Sequence, residues 1–162
     1  MKLRKNILIV EPRNELQNVI REPITKRLKD SGFDASVIHA KDGAEAAIKS
    51  ENQRFDIVVI DTEVPRLMDG GFVYGISSYK NTQDAEIIVI STRDRDQLPD
   101  ALQSSRYLKK PANPNDIIEA LVEAINEQHS AKKNNLTQLR AGSQARLTAP
   151  VRVTHPVTTR PT

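Results

Sequence analysis

Three continuous apolar runs punctuate the chain: Ile7-Leu8-Ile9-Val10, Ile57-Val58-Val59-Ile60 and Ile87-Ile88-Val89-Ile90. Each is rich in β-branched residues, and none alternates with polar positions. Strands covered on both faces read this way, because neither face meets water. Ala35 to Ala40 predicts a weaker strand, and Arg106-Tyr107-Leu108-Lys109 a short last one.

Helical spacing fills the intervals. Leu16, Val19, Ile20, Ile24 and Leu28 recur at helix period, with Gly32 suited to the stop. Pro23 falls inside this pattern and predicts a kink or a fresh helix start. Asp42 predicts the cap of a second helix ending near Ser50. Phe72 to about Tyr79 predicts a third. The stretch from Arg93 to Ser105 is polar and holds Pro99, so its helix should be short or irregular. Asn113-Pro114 opens a fifth, with Ile117, Ile118, Leu121, Val122 and Ile125 as its buried stripe.

Five alternations of strand and helix predict an α/β fold, a doubly wound five-stranded parallel sheet with helices on both faces. Right-handed crossovers favour the flavodoxin-like strand order 2-1-3-4-5. The order reverses between strands 1 and 3, and ligands of such sheets bind outside their carboxyl ends.

Charge divides the chain. Of 24 Lys and Arg, six lie between Ser130 and Thr162, where there is no Asp or Glu, so residues 1–129 carry a net −3. A mildly acidic domain over residues 1–129 is therefore followed by a basic, Pro/Thr-rich tail over 130–162. The overall net charge of +3 belongs to the tail and is weak support for nucleic-acid binding. Residues 148–162 read as extended and disordered. For 130–147, disorder is preferred over a prolonged last helix, with Leu136, Leu139 and Leu147 able to dock on a partner.

The chain has no cysteine, hence no thiol chemistry and no disulfide framework. No stretch approaches transmembrane length, no signal-peptide core follows the basic N-terminus, and the expected location is cytoplasmic. His39, His129 and His155 share no metal-ligand spacing.

The chemistry collects at strand ends. Strand 1 delivers Glu11, strand 3 Asp61, strand 4 Ser91 and strand 5 Lys110. The fold places all four at one edge. Two carboxylates, a hydroxyl and an ammonium around a crevice suit a hard cation and a phosphoryl group. Each also has a plainer reading. Asp61 could cap a turn, Glu11 could be a solvated acid before a helix, favoured by the dipole, Ser91 could satisfy local backbone, and Lys110 could be a surface lysine.

These segments resemble the receiver domain of two-component response regulators from about Lys5 to Glu127. The resemblance rests on Ile7-Leu8-Ile9-Val10-Glu11, on Phe55-Asp56-Ile57-Val58-Val59-Ile60-Asp61 with Pro65 and Met68-Asp69-Gly70, on Ile87-Ile88-Val89-Ile90-Ser91, and on Tyr107-Leu108-Lys109-Lys110-Pro111. It implies that Asp61 is the phosphoacceptor and that Ser91 and Lys110 hold phosphoryl oxygens. It implies a switch pair of Ser91 and Tyr107. It implies a Mg²⁺ site from Glu11, Asp61 and the backbone carbonyl of Glu63, and a cis Lys110–Pro111 bond. The partners implied are a histidine kinase or phosphotransfer protein and a downstream protein, with dimerisation open and no DNA-binding domain expected.

The chain departs from the family pattern in ways that bear on function. Pro12 stands where the second of two acids is usual, which makes Mg²⁺ binding weak or absent. The interval from Ser91 to Lys110 is short, which alters the fourth helix. The expected function is a stand-alone receiver in a phosphorelay, signalling rather than enzymatic. The first alternative is a pseudo-receiver that binds partners without phosphorylation. A minor alternative is a haloacid-dehalogenase-like phosphatase, prompted by Asp61-Thr62-Glu63. That class prefers Asp at the place of Glu63 and needs a further acidic pair after the lysine.

Overall fold

The computed structural model describes residues 2–67, 71–76 and 78–148, the last five of these by backbone alone. The chain divides after Glu127 into two units. In the first, β1 (Leu3–Val10), β2 (Phe33–Ala40), β3 (Ile57–Asp61), β4 (Glu86–Ser91) and β5 (Arg106–Lys109) form one sheet in the order β2-β1-β3-β4-β5. All four pairings are parallel. The predicted fold and strand order are those observed.

The apolar runs are continuous because the sheet is covered twice. Ile7, Ile9, Ile57, Val59, Ile88 and Ile90 point to one face. There they meet Ile20, Ile24 and Leu28 of α1 (Glu15–Asp30) and Ile117, Leu121 and Ile125 of α5 (Pro114–Thr148). Leu8, Val10, Val58, Ile60 and Val89 point to the other. They meet Ala46 of α2 (Gly43–Asn52) and Phe72 and Val73 of α3 (Phe72–Gly75). Leu102 of α4 (Asp100–Gln103) joins this second core. Burying each such side chain contributes roughly 1.5–3 kcal/mol, and that term holds the strand ends in register.

Local signals set the helix boundaries. Asp42 caps α2, its side chain accepting from the Glu45 N–H at 2.8 Å. Asn113 receives the Asn115 N–H at 3.0 Å as Pro114 opens α5. Pro23 neither ends α1 nor begins a second helix. Both Pro23 and Val19, whose carbonyl would have bonded the missing N–H, are exposed.

Two expectations are corrected. The third helix was expected to reach Tyr79 but ends at Gly75. Ser78 and Tyr79 both turn back to the Gly75 carbonyl, at 2.8 and 2.9 Å, and the Tyr79 ring occupies the space a side chain at 75 would need. The second correction concerns residues 130–147, expected to be disordered. They are helical, as α5 continues to Thr148. No proline interrupts the chain between Pro114 and Pro150, and Ala, Lys, Gln, Leu and Arg favour helix. The fourth helix is short as expected, a 3-10 turn at Arg95–Gln97 followed by α4. The Met68-Asp69-Gly70 step and most of the expected extended segment 148–162 lie outside the described residues.

Candidate functional site

Parallel strands deliver their carboxyl ends to one rim. Asp61 ends β3 and Lys110 follows β5, across the neighbouring β4. The Lys110 backbone N–H donates to the Ser91 carbonyl at 2.8 Å, which ties the last strand's exit to β4. The Lys110–Pro111 peptide bond is cis.

Asp61 and Lys110 meet directly. Lys110 Nζ lies 2.9 Å from Oδ1 and 2.8 Å from Oδ2 of Asp61. The backbone N–H of Glu63 also donates to Oδ1, at 3.0 Å. The Glu63 carboxylate stands 3.7 Å from the same ammonium and accepts from the Thr92 hydroxyl at 3.2 Å. Glu63 thus bridges the loops after β3 and β4 while remaining largely in solvent.

Ser91 is fully buried, and its hydroxyl is engaged beside the ion pair rather than on it. It accepts from Thr62 Oγ1 at 2.7 Å and from the Arg93 N–H at 3.0 Å. Thr62 was not singled out in the sequence, although its place next to Asp61 would have suggested it. The Tyr107 hydroxyl donates to the Arg93 carbonyl, and the Arg95 guanidinium sits 5.4 Å from the centre of its ring. Tyr107 is therefore a half-buried strand aromatic tied to the loop after β4.

Glu11 serves the start of α1, but as a buried carboxylate and not as the solvated acid of its plainer reading. Its Oε2 accepts the Leu16 N–H and its Oε1 the Gln17 N–H, both at 3.1 Å. It satisfies the first turn of α1, for which Asn14 offers no side-chain bond. Burial pushes the Glu11 carboxyl above the ordinary glutamate value. The two N–H bonds and nearby His39 pull it back, and the charge of Asp61 adds to the rise. His39 Nε2 lies 3.1 Å from the Glu11 backbone carbonyl.

Glu11 accepts two helix N–H groups, both oxygens of Asp61 contact an ammonium, and Pro12 has no side-chain oxygen to offer. Among the described residues no three carboxylate or imidazole groups gather as a metal cluster. The residues present do not fit a magnesium site built on paired acids. The crevice itself is sizeable, a cavity of about 560 Å³ lined by Glu11, Asp61, Thr92 and Lys110 on one side and Leu16 and Ile117 on the other.

Comparison with known proteins addresses what such a crevice belongs to. Residues 7–122 match the response regulator receiver domain. The chain belongs to this family. A relative among characterised proteins is the alkaline phosphatase synthesis transcriptional regulatory protein PhoP of Bacillus subtilis (strain 168). It is 28% identical over 130 residues, covering 76% of this chain and 49% of the relative. The chain thus spans about half the length of that relative.

Solved receivers share the fold. The receiver domain of sensor histidine kinase PA1611 from Pseudomonas aeruginosa PAO1 superposes with a TM-score of 0.55 at 26% identity, covering 75% of this chain and 98% of that one. Its crystal structure holds a magnesium ion coordinated in the active site cleft. Chemotaxis protein CheY4 of Vibrio cholerae matches with a TM-score of 0.55 at 24% identity, over 75% of this chain and 98% of that one. Receiver domains are signalling modules that interact with histidine kinases or phosphotransfer proteins. The receiver assignment leaves the phosphatase alternative without support. No helix among the described residues is long and apolar enough to cross a membrane.

Proposed function

We propose that this receiver takes a phosphoryl group on Asp61 from the phosphohistidine of a kinase or phosphotransfer protein, and that the modified form changes its contacts with a downstream protein. The observation that carries this reading is the two-point contact of Lys110 with Asp61. A carboxylate oxygen attacks phosphorus, the P–N bond to the donor imidazole breaks, and that nitrogen retains the electron pair. The ammonium holds the nucleophile in place and is positioned to follow negative charge onto the phosphoryl oxygens. For Ser91 to bond a phosphoryl oxygen, its hydroxyl must reorganise around Thr62. That step would carry the change to the loop held by Tyr107.

A second reading is favoured by one specific feature. Glu11 is spent on capping α1 while Pro12 replaces an acid, which suits a receiver used as a binding module without phosphorylation. Incubation with acetyl phosphate, with and without Mg²⁺, followed by intact-mass measurement, separates the two. The first reading expects a one-phosphoryl mass increase that Asp61→Asn abolishes. No adduct under either condition overturns it in favour of the binding module.

A further inference from the structure

The helix beyond Glu127 carries a pattern that the phosphoryl chemistry does not use. From Gln128 to Thr148 the backbone of the second unit is helical, and no Asp or Glu occurs in the sequence after Glu127. Leu136 and Leu139 are 58% and 71% exposed. Three residues apart on a helix, they share one face. In heptad terms they occupy the two seam positions. Lys133 and Arg140 then take the same flanking position in successive heptads, and Asn135 and Gly142 take the opposite flank. Among the flanking positions the cations stand on one side only, and Lys132 and Arg146 occupy positions on the seam line in the adjoining heptads.

Intrinsic support for this helix is mixed. Ala, Lys, Gln, Leu and Arg favour helix, whereas Asn134, Asn135, Thr137 and Gly142 are poor helix formers. A cover over the leucines would supply the missing stability, and the charges select which cover. A second copy in parallel would face Lys133 and Arg140 with Asn and Gly, and an antiparallel copy would face them with cations. Neither offers a carboxylate. An anionic bilayer calls for a broad apolar face, usually with aromatics. Here the stripe is narrow, Lys132 lies in line with it, and residues 128–148 hold no aromatic side chain other than His129. A narrow seam with a cationic edge is the complement of an acidic helix.

We propose that residues 128–148 are a docking helix for an acidic amphipathic helix of a partner protein, whose apolar seam packs on Leu136 and Leu139 and whose carboxylates face Lys133 and Arg140.

The test titrates the full-length protein with two synthetic peptides of about three heptads, both with Leu at the seam, one with Glu and one with Lys at the flanks. The Glu peptide is expected to bind and the Lys peptide not. Lys133→Glu with Arg140→Glu should weaken the Glu peptide by at least about tenfold and admit the Lys peptide. Leu136→Gln with Leu139→Gln should weaken it comparably. Failure of the Glu peptide to bind, or binding indifferent to the leucines, overturns the proposal. So does uptake by phosphatidylserine vesicles or self-association that depends on those leucines.

Discussion

Lys110 and Asp61, separated by 49 residues of sequence, form a two-point ion pair whose nitrogen–oxygen distances differ by only a tenth of an ångström, 2.9 and 2.8 Å. The pair is mostly withdrawn from solvent, with the lysine side chain 25% and the aspartate side chain 16% exposed. Removing the cation strands a half-buried carboxylate. Lys110→Met should lower stability by about 1–2 kcal/mol, and adding Asp61→Asn should recover part of that loss. Urea unfolding of the two singles and the double measures it; strict additivity would show that the groups are not coupled.

The Glu11 carboxyl should titrate above the ordinary glutamate value of 4.5, because burial opposes its charge. The folded state then holds this proton to higher pH than the unfolded chain does. The Glu11 contribution to stability therefore falls as pH rises from 4.5 through the folded value, and levels off above it. Glu11→Gln should remove that segment of the profile. Carboxyl-carbon NMR titration reads the group directly, and a midpoint at or below the ordinary value contradicts the prediction.

Gly43 is held against the loop after β3. A Cβ there would stand 2.2 Å from the Arg66 carbonyl oxygen and 2.9 Å from Leu67 Cα, both backbone atoms that cannot swing aside. Gly43→Ala should cost about 2 kcal/mol or more and shift amide resonances of the loop from Thr62 to Leu67. Arg66 in the same loop sits at φ 57°, so Arg66→Gly should be tolerated far better.

Magnesium affinity should be limited by the donor set rather than by access. Pro12→Asp restores a carboxylate beside Glu11, and Mg²⁺ titration by calorimetry should then show binding at least about tenfold tighter than in the parent protein. Equal affinity in the two proteins would place the limit elsewhere.

The fold was legible because its signal is redundant. Ile57 to Ile60 and Ile87 to Ile90 declare strands buried on both faces, and five strands of differing strength in alternation with helices leave few topologies. The meeting of Asp61 with Lys110 followed from the strand order alone. What escaped the sequence was decided by competition among neighbours. Glu11 had two possible employers, a cation or the start of α1, and only the orientation of its carboxylate shows that it accepts the Leu16 and Gln17 N–H groups. Thr62 has no apolar period to mark it, and its bond to Ser91 depends on two strands lying side by side. The persistence of α5 past His129 was hidden because an apolar stripe is a sign of packing, and helix propensity speaks more quietly than burial.

The capping role of Glu11 carries a thermodynamic consequence. Any ion that recruited its oxygens would strip Leu16 and Gln17 of their acceptor, so ion capture and fraying of the first turn of α1 become linked equilibria. Loosening that turn, by mutation or by a docked protein, would make the crevice more receptive to a cation. Tightening it would do the reverse. Selectivity for the ion would then be set partly by a helix end several residues away.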